Sequence, residues 1–247
     1  MNIKHFILTT VWILAGVFTS GCIVIDLDGC SVSRIHGSGT VVSELRHLPE
    51  FREIRLEGMG KVEITPGSRS AIEVITDDNI QPLIETEVKN GKLIISHESG
   101  RNLRPTRLNY TISVKDLAGV SVAGSGQVNC RHPLVSEDFY AKISGSGAIT
   151  LAVETARLES DISGSGSVYL SGFTDTYDAR ITGSGDVDAF DLQTIDSSVV
   201  ITGSGNCRVS VSDKLQAKIT GSGDVLYKGH PRIRRSITGS GKVRDRN

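Results

Sequence analysis

The sequence predicts an all-β chain folded as a parallel β-helix, a β-solenoid whose turns of about 18–21 residues each centre on a Gly-Ser-Gly triplet. Three observations carry this. The triplet starts at Gly37, Gly124, Gly145, Gly164, Gly183, Gly203, Gly221 and Gly239, with a Gly-Met-Gly variant at Gly58, and from Gly124 the steps are 21, 19, 19, 20, 18 and 18 residues. Around each triplet, apolar residues recur at spacing two, the period of a strand with one buried face. Aromatics make up only 5% of the chain, so the interior must be built from Val, Ile, Leu and Ala.

The first element is a targeting segment. Lys4 and His5 precede the apolar run 6–18, which is too short to span a bilayer and reads as the core of a signal peptide covering residues 1–21. "TSGC" at 19–22 resembles the lipobox of bacterial lipoproteins. Small residues at Ser20 and Gly21 would admit a signal peptidase, and the Cys22 thiol would receive the lipid. Thr19 departs from the usual Leu, and an ordinary secretory signal ahead of an accidental cysteine is the alternative. On the lipoprotein reading the mature chain starts at Cys22 and is tied to a membrane by acyl chains. Ile23, in place of an inner-membrane retention Asp, favours the outer membrane. Residues 22–50 are then the anchored segment and first strands, and 51–243 the solenoid domain.

Strand signals fill the gap between Gly58 and Gly124, where the triplet is missing for 66 residues. Residues 61–67, 71–77, 92–98 and 109–116 alternate, and 65–70, 89–91 and 98–106 read as turns. The gap has room for about three turns. A short helix is the reading for 77–88, capped by Asp77 or Asp78, with Pro82 limiting its start.

From Gly124 the columns become regular. Two residues before each first Gly stand Val122, Ile143, Ile162, Ile181, Ile201, Ile219 and Ile237, with Ile35 ahead of Gly37. Four residues after it stand Val41, Val128, Ile149, Val168, Val187, Cys207, Val225 and Val243. Two further on, the column is apolar from Cys130 to Tyr227 and polar only at Ser43 and Asp245. A 20-residue step gives roughly 60 Å of path, which suits a triangular turn of three short strands stacked at ~4.8 Å. Gly solves the corner, because it tolerates positive φ and close backbone approach. The central residues Ser125, Ser146, Ser165, Ser184, Ser204, Ser222 and Ser240 form a structural ladder, whose hydroxyls can bond one another and the corner backbone. The polar end, 242–247, reads as a solubilising cap over the last turn.

The stretch from Phe51 through "IEVITDDNI", "NGKLIIS" and "YTISVKDLAGVSVAGSGQV" resembles the putative auto-transporter adhesin, head GIN domain family, over roughly 51–243. The resemblance implies a right-handed parallel β-helix on bacterial envelope proteins, often lipoproteins, and implies no established reaction.

Little else in the sequence carries chemistry. The net charge of −1 leaves no concentrated basic face, so no nucleic-acid partner is expected, and the basic run 230–235 reads as a solvated edge. The six His residues are scattered without ligand spacing. After Cys22, Cys30, Cys130 and Cys207 remain. Cys130 and Cys207 fall in apolar columns as small buried hydrophobes, about 19 Å apart by stacking and too far for a disulfide; Cys30 is free or pairs between molecules. No cofactor is expected. Asp186, Asn206 and Asp224 follow the triplet on successive turns and form the one weak candidate metal site, for calcium. The same residues favour turns for local reasons, and Ala148 and Lys242 in that column argue against an extended site. The Arg101, Arg104 and Arg107 region is read as solvated surface.

The leading expectation is a noncatalytic, lipid-anchored cell-envelope protein, an adhesin or an envelope binding or structural module. It would face the periplasm or the cell surface, and its partner would be the membrane and an unidentified glycan or protein ligand. The alternatives are a polysaccharide-active, lyase-like enzyme on the same scaffold and a purely periplasmic structural protein.

Overall fold

The structure, a computed structural model, describes residues 34–247; the signal segment, Cys22 and Cys30 lie outside the described residues. In chain order, β1 (Arg34–His36) and β2 (Val41–His47) flank the first Gly-Ser-Gly, and β3 (Glu53–Gly58) and β4 (Lys61–Pro66) flank Gly-Met-Gly. Then come β5 (Ala71–Asp77), a 3-10 turn at Gln81–Leu83, β6 (Ile84–Lys89), β7 (Lys92–His97), β8 (Asn102–Arg104) and β9 (Leu108–Val114). From β10 (Gly119–Gly124) the repeat is regular through β11 (Gln127–Gly145), β12 (Ala148–Gly164), β13 (Ser167–Gly183), β14 (Asp186–Gly203) and β15 (Asn206–Gly221). The chain ends in β16 (Asp224–Lys228), β17 (Arg232–Gly239) and β18 (Lys242–Asp245).

Every strand pair from β10 onward is parallel and in register, so the first Gly of each triplet stacks on the next from Gly58 through Gly124 to Gly239. The chain is a β-solenoid. Each coil from β11 to β15 is one strand of 16–19 residues broken only at the triplet, rather than three short strands. The uneven steps are absorbed by bulges at another corner. Cys130–Leu134 lies opposite Leu151–Val153, and Ala189–Gln193 lies opposite Val209–Ser210. The β-branched column runs up the interior, with Val122, Ile143, Ile162, Ile181, Ile201 and Ile219 at most 2% exposed. A second, polar column is buried with it. The hydroxyls of Thr155, Thr174 and Thr194 donate to backbone carbonyls of neighbouring coils, and Ser160 and Tyr177 share a 2.7 Å bond in the core.

Three expectations for the first half are corrected. The gap does not hold three turns in sequence order. Coil β3–β4 sits between β7 and β9 on one side and β10 and β11 on the other, and β5, β2 and β6 join antiparallel. The helix read at 77–88 shrinks to the 3-10 turn, because Pro82 stands at its start and the alternation from Ile84 to Val88 feeds straight into β6. The triplet at Gly37 is not on the corner ladder. β1 pairs with β8 in a separate two-stranded sheet, and β2 runs antiparallel to β5. At the other end, residues 242–245 do not fold over the last coil but continue the stack as β18.

Candidate functional site

The repeated corner is built from two glycines with different duties. The first Gly has φ between +118° and +131° from Gly124 to Gly239, which an L side chain rarely adopts. The second lacks room: at Gly185 a Cβ would lie 2.6 Å from both Ile162 Cγ2 and Gly166 O of the coil below. Between them, the seven serines of the predicted ladder are brought into line but exposed. Their backbone N–H groups donate to the first-Gly carbonyl of the coil below at 2.8–2.9 Å, and no hydroxyl bond joins them to other described residues.

The next column holds the candidate metal ligands. In the earlier coils the N–H after the second Gly, in Ala148, Ser167 and Asp186, donates to a second-Gly carbonyl below at 3.0 Å. In the last coils that carbonyl is bypassed, and side chains take its place. Asn206 N–H donates to Asp186 Oδ1 at 3.0 Å, Asp224 N–H to Asn206 Oδ1 at 3.1 Å, and Lys242 N–H to Asp224 Oδ1 at 2.8 Å. Arg244 adds an ion pair to Asp224 at 3.1 Å. The structure does bring the three residues together, with their oxygens turned toward backbone donors. Among the described residues no group of three or more His, Cys, Asp or Glu side chains has a metal-holding arrangement.

Cys130 and Cys207 are buried free thiols, each raised in pKa by burial. Their positions in the apolar columns are as the spacing predicts.

The acidic cluster that sequence reading missed lies at the N-terminal end. Asp77 is fully buried and accepts the Thr106 hydroxyl at 2.6 Å and the N–H groups of Thr106 and Gly39, both at 2.8 Å. These bonds, the Thr106 hydroxyl first, hold its carboxyl below the ordinary value of 3.8. A Cβ on Gly37 would run into that carboxylate. Asn79 completes the clamp, accepting from Ser38 N–H at 2.9 Å and donating to His36 O at 2.8 Å. Asp78 receives the Ser38 hydroxyl. The first Gly-Ser-Gly is therefore a loop folded around Asp77–Asn79. Beside it, Arg46 on β2 donates to Ile84 O at 2.8 Å and pairs with Glu44, whose pKa its hydrogen bond, with that of Gln81, holds at about 2. On a neighbouring face, Glu53 joins Lys92 at 2.8 Å and the Tyr140 hydroxyl at 2.8 Å, tying together strands far apart in sequence.

The fold has known counterparts. The putative auto-transporter adhesin, head GIN domain family matches residues 50–231. The chain belongs to that family. Among solved structures, this head GIN chain is similar to a putative adhesin from Bacteroides fragilis, at 24% identity and TM-score 0.80, covering 85% of this chain and 99% of that one; this likeness speaks for the fold. A putative adhesin from Parabacteroides distasonis shows 25% identity and TM-score 0.72, covering 86% and 100%. A putative lipid binding protein from the same species shows 28% identity and TM-score 0.74, covering 87% and 100%. No curated protein sequence matches the head GIN chain.

Proposed function

We infer that this head GIN chain is a noncatalytic, lipid-anchored protein of the cell envelope, and that its solenoid is a binding head rather than a reaction centre. The observation that carries the reading is how the polar side chains are used. Asp186, Asn206 and Asp224 accept backbone donors, and Arg157, Lys214 and Arg208 pair with Asp138, Asp196 and Asp188 of the coil below at 3.0–3.2 Å. Such groups stiffen the stack and leave an extended, regular surface. Family membership among putative adhesins supports a place on the cell surface or in the envelope. The lipobox-like "TSGC" supports anchoring at Cys22. The 28% identical relative described as a lipid binding protein agrees with a membrane-proximal role.

The test is acyl labelling with protease shaving of intact cells. The wild-type chain should take up labelled fatty acid and fractionate with membrane, and Cys22→Ser should do neither. Clipping of the head on intact cells, with a periplasmic control spared, supports adhesion. Protection until the envelope is broken moves the role to periplasmic partners. Equal fractionation of wild type and Cys22→Ser would refute the anchor.

A further inference from the structure

Among the described residues the last coil ends the stack on its C-terminal side, as β2 and β6 end it on the other. β17 pairs only with β15 and β18 only with β16, so each has one edge of backbone N–H and C=O groups without a strand partner among the described residues. All eight residues of β17 are exposed, including Ile233 and Ile237 at 38% and 37%, although the equivalent column below is buried. The opposite end differs: there the antiparallel strands β2, β5 and β6 lie against the coils, and Arg46 covers a β6 carbonyl.

Charge is concentrated on the C-terminal end. Residues 228–247 carry seven Lys and Arg against one Asp, whereas the rest of the chain carries 20 Lys and Arg against 27 Asp and Glu. Along the stack, bases lie over acids of the coil below, as Arg232 does over Asp213 and Arg244 over Asp224. Among the described residues no strand stacks on the bases of the final coil. Arg234, Arg235, Lys242 and Arg246 have no acidic partner among the described residues. Beside the start of β17 lies a groove of about 440 Å³ lined by Ser197, Leu215 and Ile233, with Arg232, Arg234 and the Lys214–Asp196 ion pair also on its walls. The Ser197 hydroxyl there is buried, the residue being 4% exposed, and has no hydrogen-bond partner among the described residues.

We propose that β17 is a strand-addition site for an acidic, extended segment of a partner polypeptide, which would lie on it as one more parallel strand. The backbone edge supplies the ladder. Ile233 and Ile237 ask for apolar residues four apart, Arg234 and Arg235 ask for acids between them, and the groove takes a side chain at the segment's start. Two copies meeting at this same end would set Arg234 and Arg235 against their own kind, so the charges that block self-pairing select an acidic strand. This goes beyond the anchoring reading and is independent of it: shaving locates the head, whereas peptide binding asks what its end holds.

The probe is a synthetic peptide of about nine residues containing Val-Glu-Glu-Ser-Val, compared with a scrambled peptide of equal charge and with anionic phospholipid vesicles. Binding to the full chain is followed by fluorescence anisotropy and by hydrogen exchange at β17 amides. The expected result is slower exchange at β17, weaker binding of the scrambled peptide, and a loss of about tenfold or more for Arg234→Glu with Arg235→Glu. Exchange on the wild type decides the matter even if that variant misfolds. Equal binding of the scrambled peptide, unchanged β17 exchange, a preference for vesicles, or self-association lost on charge reversal would each overturn the proposal.

Discussion

At Gly185 the corner leaves a side chain no space, whereas at Ser184 it leaves solvent. Gly185→Ala must push Ile162 or the Gly166 carbonyl aside, at an expected cost of about 1–3 kcal/mol in denaturant unfolding. Ser184→Ala should stay within about 0.5 kcal/mol; the reverse order would mean that the hydroxyl, not the glycine, holds the corner. Asp77 sets a pH dependence. Its carboxyl is depressed in the folded chain, so the stability it contributes is present above the unfolded value and is lost as pH falls through the lower, folded value. The melting temperature of the wild type should therefore fall below about pH 4. Asp77→Asn should be less stable at neutral pH and flatter across that acid range. Equal acid sensitivity in the two proteins would remove Asp77 from the account.

Among the elements, the column after the triplet makes the sharpest claim. Asp224→Ala removes the acceptor of Lys242 N–H and the partner of Arg244. It should cost about 0.5–2 kcal/mol and speed exchange at the Lys242 amide. Calcium should leave the melting temperature unchanged; a rise with calcium that Asp186→Ala abolishes would restore the cation reading. The strand columns were legible in the sequence because side chains of one face repeat at spacing two and each coil must bury the same positions. The partners of Asp186 and Asp224 were not, because they are backbone N–H groups that need a side-chain acceptor only in the last coils, where the second-Gly carbonyl below is bypassed. The Gly37 triplet misled for a related reason: Gly beside the buried carboxylate of Asp77 and Gly at a solenoid corner look alike in sequence. Pairing across 40 residues, from Ser38 to Asp78 and Asn79, decides between them.

For the molecule as a whole, stacking order differs from chain order. The interval between Gly58 and Gly124 read as less regular strands with room for about three turns, and the sequence gives no sign that a later segment folds back beneath an earlier one. β7 and β9 carry no triplet, and their place below β3 and β4 follows only from pairing, Glu53 to Lys92 and Lys61 to Asn109. The charge asymmetry, by contrast, was in plain view but dispersed by the near-zero total. It gains meaning once 228–247 are seen to lie together in the last described coil.

The out-of-order coil has a mechanical consequence. Pulled from its two ends, the regular coils should come away from the C-terminal side one by one, each releasing about 18–20 residues, or roughly 60 Å of chain. Strand β9 cannot leave that way, since it is still held on both sides, between β4 and β5, after the regular coils have gone. Its release must break two layers of pairing together, so a force–extension trace should show a series of small, similar steps followed by a larger and stronger one. A trace of uniform steps to full extension would contradict this. A head held at one end and loaded at the other would then give way gradually at its tip while its base stays locked, lengthening under tension before it lets go.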